Sequence, residues 1–136
     1  VIQVFFNKRG SGKTKKLMNL ANEKAMDCSG NSVYIDDDKR LILQLHRNIR
    51  FISTEDFSLM DYHGFYGFLC GIIAQDYDIE NIYIDGLSNI VSGCMDEAAH
   101  LFSRLEDIQK TRSINVYISI NSEELQLPEF IKKYVA

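Results

Sequence analysis

Five short segments of almost unbroken apolar character, Val1–Phe6, Ser32–Asp36, Ile49–Ser53, Asn81–Asp85 and Ile114–Ile120, alternate along the chain with stretches able to form helices. A strand with one wet face alternates apolar and polar residues, whereas a strand covered on both faces need not. Strands of the second kind, separated by helices, call for a mostly parallel sheet of about five strands with right-handed crossovers and helices on both sides. The expected class is α/β. The helical stretches are Lys13–Asp27, a short one over Lys39–Arg47, Leu59–Gln75, Cys94–Lys110 and a last one beginning near Pro128. In Cys94–Lys110, Met95, Ala98, Phe102, Leu105 and Ile108 recur at three- and four-residue steps and define one buried stripe. Leu59–Gln75 is apolar on more than one side and carries Gly64, Gly67 and Gly71. It reads as a core helix that another backbone approaches closely, with a dimer face as the alternative.

Nothing in 136 residues marks a linker: there is one proline, no low-complexity stretch and no repeat, so residues 1–136 read as one domain. The three cysteines, Cys28, Cys70 and Cys94, are odd in number and form no C-x-x-C pair, which argues against a disulfide framework and a zinc site. His46, His63 and His100 show no ligand spacing and read as surface or capping residues. No secretory pattern precedes the first strand, and the longest uncharged run, Tyr62 to Gln75, is too short to span a bilayer. The expected setting is cytoplasmic, with reduced thiols. A net charge of -4 gives no bulk attraction to nucleic acid.

Local charge is distributed differently. Lys8, Arg9, Lys13, Lys15 and Lys16 gather five of the 15 basic residues around Gly10-Ser11-Gly12-Lys13-Thr14, which joins the first strand to the first helix. Glycines there let successive backbone N–H groups face a polyphosphate, and the following helix aims its partly positive N-terminus at the same anion. In such a loop Lys13 reaches the outer phosphates and the Thr14 hydroxyl holds Mg²⁺. Against the pattern G-x-x-x-x-G-K-[ST], Asn7 stands where the first glycine belongs. Asparagine tolerates a left-handed backbone better than other non-glycine residues. The candidate ligand-binding run is thus Asn7, Lys8, Arg9, Gly10, Ser11, Gly12, Lys13, Thr14 and Lys15, and the candidate ligand is a nucleoside triphosphate.

Two acidic strand ends extend the pattern. Ile82-Tyr83-Ile84-Asp85 ends in a carboxylate that, in a parallel sheet, lies at the ligand crevice and holds Mg²⁺ through a water, with Thr14 as the direct ligand. The second strand ends in Asp36, Asp37 and Asp38, whose carboxylates repel one another unless a cation relieves them. One of them would orient an attacking water. The alternative is a solvated acidic turn, with Asp37 or Asp38 capping a helix that starts at Lys39.

This order of strand, phosphate loop, helix, acid-ended strand, Asp-tipped strand, amphipathic helix and polar-tipped strand resembles the RecA-like division of P-loop NTPases, over nearly the whole chain. The resemblance implies a three-layer αβα P-loop NTPase fold, ATP and Mg²⁺ as ligands, and a catalytic carboxylate just after the second strand. Asp38 stands at the matching place, beside Asp37. It also implies a γ-phosphate sensor at the tip of a later strand, where Ile118-Ser119-Ile120-Asn121 offers Ser119 or Asn121, the latter preferred. Many relatives place Glu directly after the metal-binding Asp; here Gly86 follows Asp85. A less specific likeness is to small bacterial ATP-binding proteins labelled by similarity to pilus retraction motor ATPases, which are much larger.

Three functional classes follow. The first is an ATPase, slow as a monomer because no arginine is obviously placed to meet the transition state, so that Arg104 or Arg112 would act across an oligomer interface. The second is a nucleotide-dependent switch that binds a protein partner with little hydrolysis, favoured by Asn7 and Gly86. The third is a small-molecule kinase. No N-K-x-D guanine motif is present, which favours ATP.

Overall fold

The computed structural model describes residues 1–7, 13–121 and 127–135. Its sheet has five strands, β1 (Ile2–Asn7), β2 (Asn31–Asp36), β3 (Ile49–Ser53), β4 (Ile79–Ile84) and β5 (Asn115–Asn121). They lie in the order β1-β5-β4-β2-β3, and every pairing is parallel. Helix α1 (Lys13–Asp27) covers one face; α2 (Tyr62–Gln75) and α4 (Ala99–Arg112) cover the other. The short turns α3 (Leu87–Ile90) and α5 (Glu129–Lys132) follow β4 and close the chain.

Burial on both sides explains the apolar strands. Val33, Ile35, Ile82, Ile84, Val116 and Ile118 point to the α2 and α4 side, among Phe65, Leu69, Leu101, Phe102 and Leu105. Their neighbours Tyr34, Tyr83 and Tyr117 point the other way, onto Leu17 and Ala21 of α1. Register aligns these aromatics: Phe51 opposes Tyr34, Tyr34 opposes Tyr83, and Tyr83 opposes Tyr117. The rings stack across four strands with centroids 6.3, 5.9 and 5.2 Å apart. Such cross-strand pairs fix register, because a one-residue slip turns every ring onto the wrong face.

One atom in this ladder lacks a partner among the described residues, the Tyr83 hydroxyl, which is buried. A buried donor without an acceptor costs about 1–3 kcal/mol. Tyr83→Phe keeps the ring and removes the orphan, so we expect urea denaturation to show a gain of about 1 kcal/mol. A loss of that size would mean the hydroxyl is bonded in solution.

Several elements differ from the expectations. The stretch Lys39–Arg47 forms only a 3₁₀ turn, Ile42–Gln44. Its polar groups are drawn elsewhere: the Asn22 side chain of α1 donates to Gln44 O and accepts from His46 N, and Lys39 pairs with Glu55. Helix α2 starts at Tyr62 because Asp61 caps it, accepting from Gly64 N at 2.7 Å. Tyr62, Phe65, Leu69 and Ile73 make its buried stripe, as a core helix requires. Gly67 and Gly71 serve no close approach, since a Cβ at either meets nothing within 4 Å, whereas one at Gly64 would lie 3.2 Å from the capping Asp61 Oδ1. The buried stripe expected on Cys94–Lys110 is divided between a 3₁₀ turn, Met95–Ala98, and α4. All three cysteines are free, and His46 accepts from Asn48 N in a turn. Rings of exposed His63 and His100 lie 4.9 Å apart across α2 and α4.

Candidate nucleotide site

Alternation along the strands decides which polar groups reach the C-terminal edge of the sheet. Two residues beyond Tyr34, Tyr83 and Tyr117 stand Asp36, Asp85 and Ser119, so the same face that stacks the rings presents two acids and a hydroxyl on the α1 side. All three are buried. They are also wired together. Tyr34 donates its hydroxyl to Asp85 Oδ2 at 2.6 Å, and Ser119 Oγ donates to Asp85 Oδ1 at 3.0 Å. The Ser119 hydroxyl in turn accepts from Gly86 N at 2.8 Å. Burial first, then the charge and hydrogen bond of Asp85, lift the Tyr34 phenol well above its ordinary range, so it acts as a neutral donor.

The turn after β4 explains why no glutamate follows Asp85. Gly86 has φ 71°, in the left-handed region, and a Cβ there would come within 3.0 Å of the Asn89 side chain. A side chain at this position would be strained. The turn leads into α3, whose Ser88 hydroxyl donates to Asn121 O and ties it to the end of β5.

A cavity of about 340 Å³ opens at this edge, lined by Asp36, Asp37, Asp85 and Asn121 with Arg40, Leu41, Gln44 and Asn89. Asp36 is the deepest of its acidic run. Its Oδ1 accepts from Asp37 N at 2.7 Å, and its backbone carbonyl accepts from Thr54 N. Burial pushes its carboxyl up to about 8, with the Asp37 side chain and the Asp85 charge adding to the rise. One oxygen from each of Asp36, Asp37 and Asp38 lies within 4.8 Å of the others. An all-oxygen set of carboxylates suits a hard cation such as Mg²⁺.

The sequence candidates are thus placed as follows. Asp85, Asp37 and Asn121 share the cavity, while Asp38 is absent from its lining and accepts from Arg40 Nε at 2.7 Å and Arg40 N at 3.0 Å. Lys15 is exposed on the first turn of α1. Lys8, Arg9, Gly10, Ser11 and Gly12 lie outside the described residues, as do the side chains of Asn7, Lys13 and Thr14. In the backbone, Asn7 ends β1 opposite Asn121 and Lys13 opens α1. Arg104 and Arg112 belong to α4, on the far face; Arg112 lies over the Tyr77 ring at 4.5 Å. Reasoning from the sequence missed Tyr34, Asp36 as the buried member of its run, and Arg40.

No protein-family model matches the sequence, and comparison with the curated proteins finds no match. Solved structures do match. The flagellar accessory protein FlaH from Methanocaldococcus jannaschii superposes over 97% of this chain with a TM-score of 0.59 and 15% identity. The likeness is one of fold, an α/β layering of helices on both faces of a five-stranded parallel sheet. This chain covers 65% of the FlaH chain. No helix among the described residues is long and apolar enough to cross a membrane.

Proposed function

We propose that this domain binds a Mg²⁺-nucleoside triphosphate, ATP in preference, and hydrolyses it slowly as a single chain. The observation that carries the reading is the convergence of Asp36, Asp37, Asp85 and Asn121 on one cavity, at the strand edge where the GSGKT run joins β1 to α1. Residues 7–15 hold the phosphates, with backbone N–H groups and Lys13 as donors. Thr14 and Asp85 hold Mg²⁺, which when bound supplies charge neutralisation across the phosphate oxygens. Tyr34 and Ser119 keep the Asp85 carboxylate in one orientation.

For hydrolysis a water must be aligned with the γ-phosphorus. Asp37, on the cavity and half-buried, takes that part in preference to Asp38, which is absent from the lining. The water oxygen bonds to phosphorus as the bridging P–O bond to the β-phosphate breaks. The water proton passes to the Asp37 carboxylate, and ADP and inorganic phosphate leave. Asn121 contacts the γ-phosphate.

The second reading is a nucleotide switch that binds without turnover and presents its state to a protein partner or a second copy. Gly86 favours it, because the left-handed turn leaves no place for a glutamate beside Asp85. Titration calorimetry with MgATP, MgADP and MgGTP tests the shared claim: saturable one-to-one binding of MgATP is expected, and no binding at millimolar nucleotide would overturn it. Phosphate release at several protein concentrations then separates the readings. Release proportional to protein supports the single-chain ATPase; binding without release supports the switch.

A further inference from the structure

The cavity presents a triphosphate with a charge problem. Asp37 and Asp85 present carboxylates on its walls, so an anion entering there meets like charge. Among the described lining residues one side chain is basic, Arg40. It follows the end of β2 on a turn that Asp38 organises, Oδ1 accepting from Arg40 N and Oδ2 from Arg40 Nε. The arginine side chain is 84% exposed. An ion pair so exposed adds little to stability and exchanges readily for a stronger partner. The planar guanidinium fork matches phosphate oxygens better than it matches one carboxylate oxygen.

Sheet order says which phosphate it meets. On the nucleotide-binding reading the inner phosphates sit where β1 runs into α1, and the strand order β1-β5-β4-β2-β3 would then lead the triphosphate past β5 and β4 toward β2. Its terminal group then lies closest to the β2 turn. We infer that Arg40 is an arginine supplied in cis to the terminal phosphate, held by Asp38 when that phosphate is absent and released to it when present. Asp38 is on this account a positioning residue for Arg40, and the site needs no arginine from a neighbouring copy. The inference rests on the nucleotide-binding reading above.

The test compares a non-hydrolysable imido analogue of ATP with ADP, both with Mg²⁺, in wild type, Arg40→Ala, Arg40→Lys and Asp38→Asn. Arg40→Ala is expected to weaken the triphosphate about tenfold or more and the diphosphate less than about twofold, with lysine restoring only part because it lacks the fork. Asp38→Asn releases Arg40 in the empty site and is expected to tighten the triphosphate analogue about threefold while leaving ADP within about twofold of wild type. Equal weakening of both nucleotides by Arg40→Ala, or of neither, would overturn the assignment. Analogue affinity in Asp38→Asn at or below the wild-type value would overturn the holding role given to Asp38. Wild type that binds ADP and the analogue while Arg40→Ala is silent removes only this inference; wild type that binds neither removes the nucleotide reading with it. Exposure of Arg40 lets the variants fold, and matching melting temperatures verify this.

Discussion

Lys13→Ala is expected to lower MgATP affinity by about a hundredfold, or about 2.7 kcal/mol. The residue opens α1, whose N-terminus favours an anion, and on the proposed reading its ammonium adds the full charge that the helix dipole lacks. The cavity's acids make that charge more necessary than in a neutral cleft, since Asp37 and Asp85 oppose the phosphates until cations offset them. Thermal denaturation provides an independent readout. A ligand at a hundred times its Kd stabilises the native state by about 2.7 kcal/mol, so MgATP should raise the melting temperature of wild type and, at the same concentration, stabilise Lys13→Ala by only about 0.4 kcal/mol. Equal shifts in the two proteins would place the nucleotide somewhere other than this loop.

Much of the architecture is legible in the chain because it follows from local rules. Ile49–Ser53 and Lys13–Asp27 have the bounds their patterns suggest, since a β-branched run and an amphipathic run each carry their own period. The site is less legible, because it depends on register. Asp36, Asp37 and Asp38 are identical in type, and only their phase relative to Tyr34 says that Asp36 turns inward. A signal for this is present: Tyr34-Ile35-Asp36, Tyr83-Ile84-Asp85 and Tyr117-Ile118-Ser119 repeat aromatic, aliphatic, polar at three strand ends. It becomes informative once the rings are known to lie side by side. Glycines mislead for the opposite reason. Lacking a side chain, Gly67 and Gly71 carry no phase of their own, and α2 turns them to solvent while Phe65 and Leu69 take the core. Arg40 is hidden by its neighbours, which suggest a helix from Lys39, whereas Asp38 and Asn22 claim the backbone groups such a helix would use.

The largest expected loss of stability comes from the side of the sheet away from the cavity. Phe102 of α4 is 1% exposed, with Phe130 of α5 edge-on at 6.0 Å and Tyr134 stacked at 5.4 Å. Tyr134 is bound to the first strand through its carbonyl, which accepts from Val4 N at 2.8 Å. Removing the Phe102 ring therefore opens a cavity beneath α4 and frees the C-terminal segment from the core it covers. Phe102→Ala should cost about 3–5 kcal/mol, lowering the melting temperature by roughly 10–15 °C for a domain of this size. Because Phe102 lies on the face opposite Asp36 and Asp85, the folded variant should keep its MgATP affinity. Nucleotide at a hundred times its Kd should then return about 2.7 kcal/mol, more than half of the lost stability, since binding to the native state adds the same increment to both proteins. A variant that melts as wild type would show that α4 repacks around the gap; one that folds but loses MgATP would show that the two faces of the sheet are coupled.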